Sequence, residues 1–222
     1  MGTLYLVRHG QASFGADDYD CLSELGERQC RQLGEWFAGR GIRFEAALVG
    51  TLRRQTQSLA AIAQGLGNPP STVVWPGLNE YDSAALIATV HPGPLQRPAD
   101  AEQVRAHFRL LRDGLMRWMA GETYPVGMPS HAAFSAGVAG ALQHVRTTFS
   151  GDVLLVSSGG PISTAVAQVL SAPPAAAIEL NLRIRNSAVT EFSFNPQRHA
   201  LLSFNNLPHL DHVDRRDWST YT

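Results

Sequence analysis

The chain has 222 residues, of which 44% are hydrophobic and 17% charged, with a formal net charge of −1. That is enough chain for one well-buried domain and short for two, so residues 1–222 are read as a single domain. No basic cluster argues for nucleic acid as a partner, and no stretch approaches the roughly 18 continuous apolar residues of a membrane span. The opening "MGTLYLVRHG" does not read as a signal peptide, because its apolar run is short and Arg8 and His9 follow at once. Cys21 and Cys30 sit close together in a helical-looking segment and suit reduced thiols, which points to a cytoplasmic protein. No Cys-x-x-Cys or His-Glu-x-x-His pattern declares a metal site, and no cofactor is expected.

In chain order, "TLYLV" (Thr3 to Val7) reads as the first strand. In "SELGERQCRQLGEWFAGRG", Leu25, Cys30, Leu33 and Phe37 fall near helical spacing behind a credible Ser23 N-cap, although Gly26 and Gly34 lower the propensity. "AALV" is a short strand ending at Val49. A helix follows from about Arg53 to Gly65, then a strand from Thr72 to Trp75. The region from about Ala99 to Phe149 reads as two helices separated by "GETYPVGMPS". Val153 to Val156 is a strand, "STAVAQVL" a helix, and "AVTEFSF" and "HALLSF" flank "NPQR" as a hairpin. Strands alternating with helices predict an α/β fold, a three-layer α/β/α arrangement with a mainly parallel sheet and an antiparallel edge strand.

In such sheets ligands bind beyond the carboxyl ends of the strands. Those ends carry Arg8, His9, Gln11 and Ser13 after the first strand and Arg53 and Arg54 after the second. Glu80 and Asp82 follow the third, and "SSGGP" the fourth. Arginine forks match phosphate oxygens, and a glycine turn opening a helix attracts anions. A neutral imidazole is a competent nucleophile at phosphorus, and a carboxylic acid can protonate the departing oxygen. Alone, "SSGGP" fits a plain turn, a serine-nucleophile elbow or a phosphate cradle. The Gly-x-Ser-x-Gly pattern of the elbow is absent.

Several segments, in order along almost the whole chain, resemble the histidine phosphatase superfamily, also called the phosphoglycerate mutase-like family. "LYLVRHGQAS" looks like the signature of the nucleophile, and "LSELGERQCRQLGEWF" is similar to the Leu-Thr-x-x-Gly-x-x-Gln helix. "GTLRRQTQSLAAIA" looks like Ser-x-Leu-x-Arg-x-x-Gln-Thr-Ala, which aligns Arg54 rather than Arg53 with the phosphate-binding position. "LNEYD" resembles the acid segment, and "NSAVTEFSF" and "NNLPHL" the late strand and tail. The resemblance implies a phosphomonoesterase working through a phosphohistidine on His9, with Glu80 as proton donor and Asp82 as the rival acid. It implies Arg8, Arg54, Ser158 and Gly159 as phosphate-binding residues and no metal. Where the family has Val-Ser-His-Gly-Gly, this chain has Val156, Ser157, Ser158, Gly159 and Gly160, so Ser158 stands in the place of the second histidine.

Ser158 therefore implies slow generic turnover, or else a non-catalytic phosphate-binding protein on a phosphatase fold. An imidazole at position 158 is expected to raise turnover if Gly159 and Gly160 leave room for it. The Gly-x-Trp-Glu-Gly stretch of the mutase branch is missing after Glu80, which argues against a phosphoglycerate mutase. Gln11 and Ser13 either touch the leaving group or close a turn. His131 either packs or reaches the pocket from the helical capping segment, about residues 83–150. A phosphorylated small molecule or a phosphoprotein is the implied substrate, and the assembly is left open, a homodimer included.

Overall fold

A computed structural model of the chain describes residues 1–13, 20–91, 93 and 100–221. Four strands pair in parallel: β1 (Gly2–Arg8), β2 (Phe44–Val49), β3 (Thr72–Val74) and β4 (Asp152–Ser157). β5 (Val189–Phe194) runs antiparallel to β1, and β6 (His199–Asn206) closes that edge, giving the sheet order β3-β2-β4-β1-β5-β6. The expected α/β architecture is present. β1 and β4 lie at the centre, covered on both faces, which is why they read as continuous apolar runs.

The pleat of β1 separates two cores. Tyr5 and Val7 face α1 (Glu24–Gly39) and α2 (Arg53–Leu66), where Cys30, Leu33, Phe37 and Ile62 are fully buried. Leu4 and Leu6 face the opposite layer, which holds α3 (Ser83–Ala88), α4 (Ala101–Met119), α5 (His131–Thr148), α6 (Gly159–Leu170) and α7 (Pro174–Asn181). There Trp118, Leu115, Val138 and Ile162 pack against the strands. Each fully buried large side chain contributes about 1.5–3 kcal/mol of transfer free energy.

Two differences from the sequence reading have local causes. α6 starts at Gly159, ahead of the expected "STAVAQVL", because Pro161 sits in the first turn, where its missing N–H is no loss. α7 was not expected. It is short and has no apolar stripe, burying only Ala177 and Ile178.

The glycines that lower the helical propensity of α1 are contact points. A Cβ on Gly34 would stand 2.1 Å from Ile62 O of α2, and one on Gly26 would stand 2.2 Å from Gln11 O. Both neighbours are backbone and cannot step aside like a side-chain tip. Gly26→Ala is therefore expected to pry α1 away from the loop after β1 and destabilise the protein by about 1–3 kcal/mol, the usual range for overpacking. A urea unfolding midpoint equal to that of the native chain would show that the loop yields without cost.

Candidate active site

β1 ends at Arg8, and His9 is the first residue beyond it, with its amide donating to Ser157 O at 2.8 Å. The imidazole is buried, and its Nδ1 lies 2.7 Å from Gly10 O. A carbonyl only accepts, so Nδ1 carries the proton and Nε2 keeps its lone pair. Burial, then Arg8, then Arg54 hold the His9 pKa well below the ordinary histidine value. A neutral, oriented imidazole results.

The loop that carries His9 is clamped from several elements. Ser58 Oγ of α2 accepts from Gly10 N at 3.0 Å, and Gln29 Oε1 of α1 accepts from Gln11 N at 2.9 Å. Asn186 Nδ2 donates to His9 O at 3.3 Å, and Ser187 N donates to the same carbonyl at 3.2 Å. Asn186 also binds Thr220 through N–H···O and side-chain bonds of 2.9 Å each. Gln29 Nε2 donates to Trp218 O at 2.6 Å, and Arg8 donates to Tyr221 O at 3.0 Å, so the segment 218–221 is strapped to the loop.

Arg54 is the second residue of α2 and is nearly buried, with Nη1 2.6 Å from Asp20 Oδ1. Its charge acts on both His9 and Glu80, and so does that of Arg8. Arg53 lies on the exposed side, its amide donating to Asp20 Oδ2 at 2.9 Å.

Glu80 follows β3 after a single 3₁₀ turn, Pro76–Leu78. Its Oε2 accepts from Gly160 N at 3.0 Å and its Oε1 from Tyr81 N at 3.2 Å. Burial raises its pKa, against the opposing pull of the Gly160 N–H, Arg54, Arg8 and the Tyr81 N–H. Asp82, the rival, points away into N-capping α3, accepting from Ala84 N and Ala85 N at 2.8 and 3.1 Å.

Ser158 occupies the N-cap position of α6 without a capping bond from its side chain. It is fully buried, and its Oγ accepts from Gln55 Nε2 at 2.9 Å. Gly159, beside it, is buried as the first residue of α6.

His9, Arg8, Arg54, Glu80 and Ser158 are thus brought together by a connected set of hydrogen bonds and charge interactions. Gln11 and Ser13 close the loop: Gln11 Oε1 accepts from Ser23 Oγ at 2.9 Å, and Ser13 Oγ donates to Leu22 O at 3.0 Å. His131 packs edge-on against Trp118 at 5.1 Å, and Trp118 in turn against Tyr81, the residue after Glu80, at 6.0 Å. Gln29, Gln55, Asn186 and Asp20 belong to the site but were not singled out from sequence. They are uncharged amides and a lone acid on separate elements. Gln29 falls on the glutamine of the Leu-Thr-x-x-Gly-x-x-Gln pattern and Asn186 opens the late-strand segment, which is the signal that could have found them, whereas Gln55 falls on an unspecified position. Cys30 is a buried free thiol, and among the described residues no cluster of His, Cys, Asp and Glu could hold a metal ion. No helix among them is long and apolar enough to cross a membrane.

A family model described as the histidine phosphatase superfamily (branch 1) matches residues 4–207. The chain belongs to that superfamily. Of its curated relatives, the 2,3-bisphosphoglycerate-dependent phosphoglycerate mutase of Methylorubrum populi is 31% identical over 107 residues, covering 45% of this chain and 50% of that protein. The enzyme of the same name from Rhizobium etli is 37% identical over 89 residues, 36% of this chain and 42% of that one. The chain spans about half the length of the curated relatives it matches. Among solved structures, a phosphoserine phosphatase mutant from Entamoeba histolytica in complex with phosphoserine superposes with a TM-score of 0.65. Its identity is 19%, over 95% of this chain and 100% of that one, which shows a shared fold.

The contact between α6 and Glu80 leaves no room for a side chain, since a Cβ on Gly160 would stand 2.1 Å from Glu80 Oε1. Gly160→Ala, in a helix that alanine otherwise favours, is expected to displace the carboxyl group and lower turnover by tenfold or more while the fold survives. Unchanged turnover on a phosphomonoester would mean that Glu80 need not sit against α6.

Proposed function

We propose that the protein is a phosphomonoester phosphatase that works through a phosphohistidine on His9. The observation that carries this reading is the neutral His9 imidazole, its Nδ1 held by Gly10 O, at the same sheet edge as two arginines and a carboxyl group whose pKa burial raises. In the first step Nε2 attacks phosphorus, the P–N bond forms and the bond to the leaving oxygen breaks. Glu80 gives its proton to that oxygen. In the second step Glu80 takes a proton from water, whose oxygen bonds to phosphorus as the P–N bond breaks, returning the His9 imidazole and releasing inorganic phosphate. Arg8, Arg54 and the amide groups opening α6 at Gly159 meet the charge on the phosphoryl oxygens, so the steps need no metal.

Ser158 contributes a neutral hydroxyl where the family resemblance places an imidazole. Losing one donor aimed at transition-state charge costs about 2.7–4 kcal/mol, or ~10²–10³ in rate, and a neutral bond restores roughly half. Slow turnover on generic substrates follows. The substrate class is a phosphorylated small molecule or phosphoprotein in the cytoplasm. The helices between about 83 and 150 form the cap over it.

His9→Ala is expected to abolish both turnover and the acid-labile phosphoenzyme, measured on a panel of phosphomonoesters. Activity surviving in that variant would show that another group attacks phosphorus. Native protein that interconverts phosphoglycerates, or that binds phosphate without hydrolysing any ester, would replace this reading with a mutase or a phosphate-binding protein.

The pH profile tests the acid separately. His9 must be neutral, and its lowered pKa keeps it so in weakly acidic solution. Glu80 must be protonated, and it loses that proton as the pH climbs through its raised pKa. kcat/KM should therefore be highest on the acid side of neutrality and fall as pH rises. Glu80→Gln should lower the rate and flatten that alkaline fall. An alkaline limb that persists in Glu80→Gln would assign it to a different group.

A further inference from the structure

Gln55 is the third residue of α2, at a position that the family-like segment leaves unspecified, yet it is fully buried and makes two bonds that bear on the site. Its Nε2 donates to Leu78 O at 2.9 Å and to Ser158 Oγ at 2.9 Å. The orientation of the amide is dictated by Leu78. Turning it over would set Oε1 against a carbonyl that can only accept. Leu78 O also takes the Ser157 hydroxyl at 2.7 Å, so the carbonyl two residues before Glu80 is tied to both α2 and β4. Gln55 Oε1 finds no partner among the described residues, an expense the fold carries in order to present the NH₂ group inward.

The consequence falls on Ser158. A hydroxyl has one proton, and one lone pair of Ser158 Oγ is already occupied by Gln55. Its proton therefore points elsewhere, and among the described residues no acceptor receives it. Ser158 is buried at the N-terminus of α6, beside the residues that surround His9. We propose that Gln55 is the positioning residue for Ser158. It accepts nothing from the serine and donates to it, so the hydroxyl is committed as a donor to the phosphoryl oxygen. The pair Gln55 and Ser158 together fill the place of a single imidazole. The phosphoryl oxygen as acceptor rests on the phosphatase reading, whereas the direction of the Gln55–Ser158 bond does not.

The same geometry revises the expectation for histidine at 158. The limit is Gln55 rather than the glycines alone. On the serine's rotamer, the ring carbon next to Cβ takes the place of Oγ, 2.9 Å from Gln55 Nε2. Non-bonded heavy atoms rest at about 3.5–4.0 Å. Ser158→His should therefore be slower than the native chain, and Gln55→Ala with Ser158→His faster than it.

The test is a double-mutant cycle on the full chain with Gln55→Met, which keeps the volume and removes the donor, Ser158→Ala, and both together. Two quantities are read: kcat on one phosphomonoester and the affinity for orthovanadate alone. Each single variant is expected to lose about tenfold in both, and the double variant no more than either single, because the two act as one unit. Losses that multiply to about a hundredfold in the double variant would overturn the proposal. A native chain that binds vanadate, hydrolyses no ester and still shows non-additive vanadate losses would retire the phosphatase reading and leave Gln55 in its role. Should Gln55→Met fail to fold, the two histidine variants decide. A single Ser158→His already faster than native would show that Gln55 does not shape the site.

Discussion

The parallel pairing of β1 with β4 is the constraint on which the site depends. The ladder runs in register from Leu4 against Val153 to Arg8 against Ser157, and the His9 amide adds one more bond to Ser157 O. Parallel neighbours end on the same side of a sheet. The His9 loop and the glycine turn therefore emerge together, and β2 on the far side of β4 delivers the first turn of α2 with Arg54 and Gln55 beside them. A slip of one residue between β1 and β4 would exchange the two cores and carry His9 away from Ser158.

Rigidity at that edge comes from buried amides and hydroxyls. Ser58, Gln29 and Asn186 reach the His9–Gly10–Gln11 backbone from α2, α1 and the loop before β5 respectively. Gln55 and Ser157 fix the Leu78 carbonyl ahead of the acid. A buried polar group left without a partner costs about 1–3 kcal/mol, so each of these bonds holds its loop in one place. The strap from Trp218 to Tyr221 adds the Arg28 guanidinium over the Trp218 ring at 4.3 Å.

The two titratable groups of the site are pushed in opposite directions by one environment. Burial lowers the His9 pKa and raises that of Glu80. The arginines reinforce the first shift and oppose the second. Nearby groups whose protonation is driven apart in this way are suited to nucleophile and acid roles in a single reaction.

The sequence by itself determined the α/β class and the strand–helix alternation, and it put Arg8, His9, Arg53, Arg54, Glu80 and Asp82 at strand ends as candidates. These rest on local signals: apolar runs, helical spacing, and charged residues placed immediately after strands. The preference for Arg54 over Arg53 and for Glu80 over Asp82 rested on the family resemblance. Ser158 was legible as a departure because the residues around it kept their pattern. What the tertiary structure decided is everything that depends on side chains meeting from distant elements. The glycines of α1 looked like weaknesses and turned out to be points of backbone contact, because helix propensity knows nothing of Ile62 or Gln11. Gln55 looked like any glutamine on a helix. Only the folding of β3 and β4 beside α2 brings Leu78 O and Ser158 Oγ within reach of one amide, and hydrogen bonds between residues 23 and 103 positions apart leave no periodicity in a chain.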